Sequence, residues 1–258
     1  MDTIGISLLF LILVGGLVGA ASGYLGSFMV VKRMSLVGDA LSHVALPGMA
    51  VAVTLGINPM LGAFLALVLA ILGIWYLGEK SEIYPEALVG VFFTASLAIG
   101  ILITPEPELF EALFGNIETV TLIDGLIIFG ATVLIFVLTK LISRQFLLTT
   151  VSEDLARASG VKTGRINLIY LLLVGLVVAL GVKFVGTLLM GALVIVPAVT
   201  AKNMARSIKS FQLGSILLGV AAVILGILIS RVFSISSGPA VVLVSIFFFI
   251  TSYLFRAK

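Results

Sequence analysis

The sequence predicts an all-α fold, a polytopic bundle of eight or nine transmembrane helices. Three observations carry this. Hydrophobic residues make up 61% of the 258 and charged residues only 10%, where a soluble globule carries about 25% charged residues. Mean hydropathy is +1.32. Apolar runs of near-spanning length recur along the whole chain, and a helix crossing the hydrocarbon core needs about 20 apolar residues. Too few charges remain to coat a water-facing surface, so the solvent of this chain is a bilayer. Soluble enzymes, nucleic-acid binders and disordered scaffolds are excluded. The absence of cysteine removes disulfides, thiolate metal sites and cysteine nucleophiles.

The first span covers residues 3–31, which carry no charge; the run is too long, and lacks the cleavage site and polar flank, to read as a removed signal peptide. Further apolar runs follow at 44–56, 60–78, 87–104, 122–143, 166–182, 184–201, 211–230 and 240–255. The second is short unless it begins near Gly38, and the sixth and seventh touch at Lys183, which leaves the count at eight or nine. Gly15, Gly19 and Gly23 form a doubled G-x-x-x-G, a spacing that lets another backbone approach closely; packing within the monomer explains it, as it does the looser Gly186, Gly191, Gly214 and Gly219. With Lys32 and Arg33 inside and nine spans, 13 of the 15 lysines and arginines fall in the cytoplasm, leaving Lys183 and Arg231 outside. The positive-inside rule therefore places the amino terminus outside and the carboxyl terminus inside. The longest polar stretches are 105–124 outside and 144–165 inside; neither could bury a core, so residues 1–258 read as one membrane domain.

The most informative segment is 38–48, GDALSHVALPG. It sets Asp39 and the chain's single histidine, His43, at the head of an apolar run. Spaced i, i+4, the two share one helix face, with Ser42 on the same side. Pro47 lacks an N–H and is expected to kink or break the helix, freeing a carbonyl near His43. Ionisable groups inside a membrane are costly and usually face a pathway or a partner. Three readings stay open from the residues alone. Asp39 caps the helix while His43 hydrogen-bonds to it or to a neighbouring helix; or the pair relays protons; or it contacts a divalent ion such as Zn²⁺, Mn²⁺ or Fe²⁺, which imidazole nitrogen and carboxylate oxygen suit. Two ligands do not fill a shell of about four to six, and a second copy of the chain or water would supply the rest.

Segment 38–48 resembles the signature of the membrane permeases of ATP-binding-cassette importers for zinc, manganese and iron. Residues 186–201, GTLLMGALVIVPAVTA, are similar to a later segment of that family, and 152–160, SEDLARASG, resembles its cytoplasmic coupling segment. The resemblance spans nearly the whole length. It implies a permease subunit, not an enzyme, that forms the translocation path as a homodimer in the prokaryotic cytoplasmic membrane. An extracellular or periplasmic metal-binding protein would deliver the ion and separate cytoplasmic ATPase subunits would bind ATP. No cofactor is permanently bound; the divalent metal, zinc or manganese before iron, is cargo. Asp39 and His43 would contact it, and Glu153, Asp154, Ala156 and Gly160 would couple to the ATPase. Pro47 and Pro197 are hinge or gating candidates, since a proline kink near mid-span is a common cavity feature.

The residues of 144–165 agree independently. Ser152 suits an N-cap, Glu153 and Asp154 suit a first helical turn, and Gly160 suits a left-handed terminus; an ordinary solvated loop is the plain alternative. Lys183 reads most simply as snorkelling to the interface, or as a charge regulating cation entry. Asp2, Glu106, Glu108, Glu111, Glu118 and Asp124 make the outer side negative, which draws cations, docks a basic partner or merely solvates a loop. No P-loop is present, so this chain does not itself hydrolyse ATP. The alternative is a gradient-driven secondary metal transporter, but Asp39 and His43 alone are few ionisable groups for one. An intramembrane hydrolase fits poorly, because Ser42 and His43 lie about 100° apart on a helix.

Overall fold

The computed structural model describes residues 2–81, 83, 85–104, 112–117 and 120–255, with side chains apart from those of 2–7, 85, 86 and 255. Its described elements are all helical: α1 Asp2–Lys32, α2 Ser35–Thr54, α3 Pro59–Lys80, α4 Pro85–Ile103, α5 Leu122–Val151, α6 Glu153–Ala158, α7 Thr163–Val185, α8 Met190–Met204, α9 Ile208–Phe233 and α10 Ser237–Ser252, with a 3-10 turn at Tyr253–Phe255. Six of these, α1, α2, α3, α5, α7 and α9, are long and apolar enough to cross a membrane. Three more apolar stretches, Ala87–Ile103 in α4, Met190–Met204 and Ser237–Ser252, are shorter.

The apolar runs lie on helices, except that 184–201 straddles the break between α7 and α8, and two runs differ in extent. The run at 44–56 belongs to a helix that starts at Ser35, because Asp39, Ser42 and His43 interrupt the hydropathy but not the backbone ladder. α5 likewise continues past 143 to Val151. Local chemistry fixes several ends. The Asn58 side chain accepts from Met60 N at 2.9 Å with Pro59 at the first helical position, which needs no N–H there. Thr121 and Asp124 form a capping box at α5, and Ser207 and Ser210 another at α9.

α7 is the axis. Its most apolar stretch is 72% buried, against 33% for α3 and for α5. On one side α1 packs on α9 and α8, and α9 on α10; on the other α2 packs on α3 and α4, with α7 touching both groups. Lipid tails are as apolar as leucine, so these contacts rest on close packing rather than on water exclusion. Gly19 supplies one such contact, where a Cβ would lie 2.5 Å from the Gly219 carbonyl oxygen. That bears out the packing role of the doubled G-x-x-x-G. An aromatic column joins α1, α5 and α7: Tyr24 stacks on Phe136 at 4.9 Å, Phe28 meets Phe146 edge-on at 5.7 Å, and Phe146 lies 4.2 Å from Tyr170.

The chain breaks between α7 and α8. Gly186 has φ +78 and ψ 169, a region open essentially to glycine alone. The break is held from three sides. Thr187 N donates to Ala112 O at 2.9 Å, Leu188 N to Leu113 O at 3.1 Å and Asn116 N to Lys183 O at 3.0 Å. The Ser237 hydroxyl donates to Phe184 O at 3.1 Å. Phe184 sits beside Gly15, Val194 abuts Gly26, and both glycines lie within the 8–32 span, so the break is at membrane depth. Irregular backbone is tolerated there only when protein satisfies it. α8 has 15 residues, about 22 Å at 1.5 Å per residue, short of the about 30 Å core.

Several expectations are corrected. Of the kink or break expected at Pro47, the structure excludes the break: α2 runs through it to Thr54, and α8 runs through Pro197; each proline removes one donor to the carbonyl four residues earlier, His43 and Leu193 respectively. Lys183 does not snorkel: its Nζ lies 2.5 Å from Oδ2 of Asp124. Asp124 is no outer-surface acid, being 0% exposed. Gly186 and Gly191 serve the break and its neighbour on α2, beyond general packing. Glu106, Glu108, Glu111 and Glu118, together with the Asp2 side chain, lie outside the described residues.

Candidate ion-translocation site

α2 carries the pair. Its N-cap is Met34, with no side-chain cap, so Asp39, a turn further in, caps nothing. The Asp39 side chain lies against the first turn of α8, where a Cβ added to Gly191 would sit 2.6 Å from both Cβ and Oδ1 of Asp39 and 2.8 Å from its Cα. Among the described residues no hydrogen bond or ion pair reaches this carboxylate. His43 is 8% exposed, and its Nδ1 is buried with no hydrogen-bond partner. The imidazole packs edge-on to Phe93, ring centroids 5.2 Å apart. An unpaired buried polar group costs about 1–3 kcal/mol, so this nitrogen is left open at a cost to the fold. The capping reading, and a hydrogen bond from His43 Nδ1, are therefore not what the structure contains.

Ser42 ties the pair to the break. Its hydroxyl lies 2.5 Å from the Thr187 carbonyl oxygen and 2.7 Å from that of Asp39, and donates to one or is shared between them. Thr187 Oγ1 is itself buried without a partner. Among the other hydroxyls, Thr104, Thr200, Ser215 and Ser245 each donate to the carbonyl four residues earlier, which satisfies them locally, while those of Ser22, Thr132 and Thr139 are, like Thr187 Oγ1, buried without a partner.

Asp124 shows what a structural acid looks like in the same bundle. Its carboxylate accepts from Lys183 Nζ at 2.5 Å, Asn58 Nδ2 at 2.7 Å, Thr121 N at 2.8 Å and Thr121 Oγ1 at 2.9 Å. Those donors come from α7, the cap of α3 and the cap of α5. Beside this knot lies a cavity of about 140 Å³, lined by Ala50, Val53, Met60, Asn116 and Lys183 among others. Ala50 is on the His43 face of α2, two turns further along. Lys183, which lines the cavity, thus has its charge neutralised by Asp124.

Asp39 lies against the start of α8 and Ser42 reaches the Thr187 carbonyl just before it, while His43, one turn further along α2, packs on Phe93 of α4. Pro47 follows on α2, and Pro197 lies on α8 beyond Gly191. Among the described residues no three His, Asp or Glu side chains cluster as metal ligands, so one chain offers only this pair. Glu153, Asp154 and Ala156 sit elsewhere, on α6. Ser152 accepts from Leu155 N at 3.2 Å as its N-cap. Gly160 has φ +80, and Gly160 N and Val161 N donate to Arg157 O and Ala156 O at 2.9 and 3.0 Å, a Schellman terminus. Ala156 is buried while Glu153, Asp154, Leu155 and Arg157 are exposed. The Glu153–Arg157 pair at 3.9 Å adds little, as exposed pairs do. The contributions of Thr187 and Gly191 were not foreseen from sequence, although both fall in the 186–201 stretch already marked by its glycines.

Comparison with known proteins agrees along the full length. The ABC 3 transport family model matches residues 7–256. The chain is 36% identical over 245 residues to the manganese import system permease protein ScaB of Streptococcus gordonii, covering 93% of this chain and 88% of that protein. It is 34% identical over 254 residues to the high-affinity zinc uptake system membrane protein ZnuB of Haemophilus influenzae, covering 96% and 97%. A solved structure, PsaBC from Streptococcus pneumoniae in complex with Fab, superposes with a TM-score of 0.87 at 33% identity, covering 98% of this chain and 92% of that one. A multi-pass helical membrane protein whose relatives are metal permeases, this chain belongs to the ABC 3 transport family.

Proposed function

We propose that this chain is the permease subunit of an ATP-binding-cassette importer for divalent transition-metal ions, manganese or zinc. The observation that carries the proposal is the open pair on α2: the Asp39 carboxylate, beside the first turn of α8, and the buried His43 Nδ1 one turn along, neither with a hydrogen-bond partner among the described residues. Oxygen and nitrogen donors of this kind suit borderline divalent ions, and an incomplete shell suits a carrier that must release what it binds. The names of the relatives, two of them manganese and zinc systems, support the substrate class.

The whole of 1–258 acts as one membrane domain of eight or nine spans with the amino terminus outside. Two copies form the path, so that each supplies Asp39 and His43. A binding protein hands the ion over on the outer side, where the cavity beside Lys183 opens toward α2. On the inner side α6 presents Glu153, Asp154 and Leu155 to a separate ATPase subunit, with Ala156 and Gly160 shaping its seat and end. Closure of the ATPase pair on ATP moves α6, and the proline-weakened ladders at Pro47 and Pro197 let α2 and α8 yield.

The test is metal accumulation in cells expressing the chain with its ATPase and binding protein, with Mn²⁺ and Zn²⁺ offered separately. Uptake disappears when the ATPase carries a dead nucleotide site. Uptake that persists at the wild-type rate would overturn the reading in favour of a gradient-driven carrier.

A further inference from the structure

We infer that Gly191 and Ser42 are positioning residues for the transported ion: together they fix how far α2 stands from the start of α8, and so where Asp39 and His43 meet a divalent cation. The inference rests on the reading of Asp39 and His43 as ion ligands.

The contact is made at two points. Asp39 lies against Gly191, and three residues along α2 the Ser42 hydroxyl reaches the Thr187 carbonyl oxygen at 2.5 Å. A single contact would let α2 roll about its axis; two, a turn apart on each side, resist both rolling and separation. Gly191 tolerates no substituent as the helices stand. A Cβ there would lie 2.8 Å from the Cα of Asp39, which is backbone and cannot swing aside, so alanine requires α2 or α8 to shift.

The far side of the contact is rigid. Gly186, at φ +78, allows the chain to turn there, and the Ala112 and Leu113 carbonyls and Ser237 hold it. The start of α8 is therefore a fixed reference against which α2 is set. It also has the right polarity. The first N–H groups of a helix lack intrahelical partners and favour negative charge nearby. Asp39 gains that field without a hydrogen bond that would occupy its oxygens. Gly19, by contrast, faces the backbone of Gly219 and the side chain of Val223, neither of them ionisable.

A ligand held about 1 Å out of place loses much of its function even when it is present. The experiment measures binding of Mn²⁺, by loss of the free-ion paramagnetic resonance signal, and of Zn²⁺, by calorimetry, to the purified permease with its ATPase subunits. Gly191→Ala is expected to raise Kd for the ion the wild type binds by at least about tenfold, and Ser42→Ala by about threefold or more. Co-purification with the ATPase and its basal rate stay at the wild-type level, readouts that a general packing defect would move. Should Gly191→Ala not assemble, Ser42→Ala, which adds no atoms, decides alone. Kd within about twofold of wild type in the assembled variants overturns the inference. Asp39→Ala and His43→Ala run alongside. If these bind the ion as wild type does, or if wild type binds neither ion, the ligand reading falls and this inference with it. If they alone lose binding, only the positioning role falls.

Discussion

Asp39 and Asp124 both stand on membrane helices, and their surroundings divide the work between them. Asp124 accepts four hydrogen bonds, so removing either member of its ion pair leaves the other buried and unanswered. Asp124→Ala or Lys183→Met should each destabilise the bundle by about 3–5 kcal/mol, read as a fall in melting temperature of the detergent-purified protein. The double change Asp124→Ala with Lys183→Met should cost less than the sum of the two single changes, a non-additivity expected of groups in contact. Asp39 has no such partners, so Asp39→Ala and His43→Ala should leave folding and assembly intact while metal uptake disappears; normal uptake by both would remove them from the path. The candidate pair was legible because ionisable residues at the head of an apolar run stand out. Asp124 was not: it follows a polar stretch in sequence, and nothing in that stretch shows that the chain turns back and buries it against Lys183.

Helices were more legible in number than in extent. Hydropathy marked all nine apolar segments, yet it began α2 nine residues late, because polar side chains lower an average without disturbing backbone hydrogen bonds. α6 was readable at both ends, from Ser152 and Gly160, since caps are local chemistry. The break between α7 and α8 was not, because its partners at 112–116 and at Ser237 are distant in sequence. Gly186→Ala tests it: a Cβ there both meets the Leu113 carbonyl carbon and forces a backbone region that costs of order 1–3 kcal/mol. The expected result is poor accumulation of folded protein, measured by monodispersity on size exclusion.

For the bundle as a whole, charge counting along the sequence set an orientation that a carboxyl-terminal reporter can check. A fluorescent protein fused there should mature and fluoresce, as it does in the cytoplasm, while an alkaline phosphatase fusion should stay inactive; the reverse pair of results would invert the topology. The Asp39 carboxylate, left without a partner among the described residues, has an electrical consequence for the proposed two-copy path. Two copies bring two negative charges to one ion, so a dication arrives at a neutral assembly. A sodium ion or a ferric ion would leave one unit of charge uncancelled, where the surrounding dielectric is low and the energy of such a charge is high. Under that proposal the path would sort ions by valence before size, and resolving one divalent metal from another would fall to the geometry of the donors.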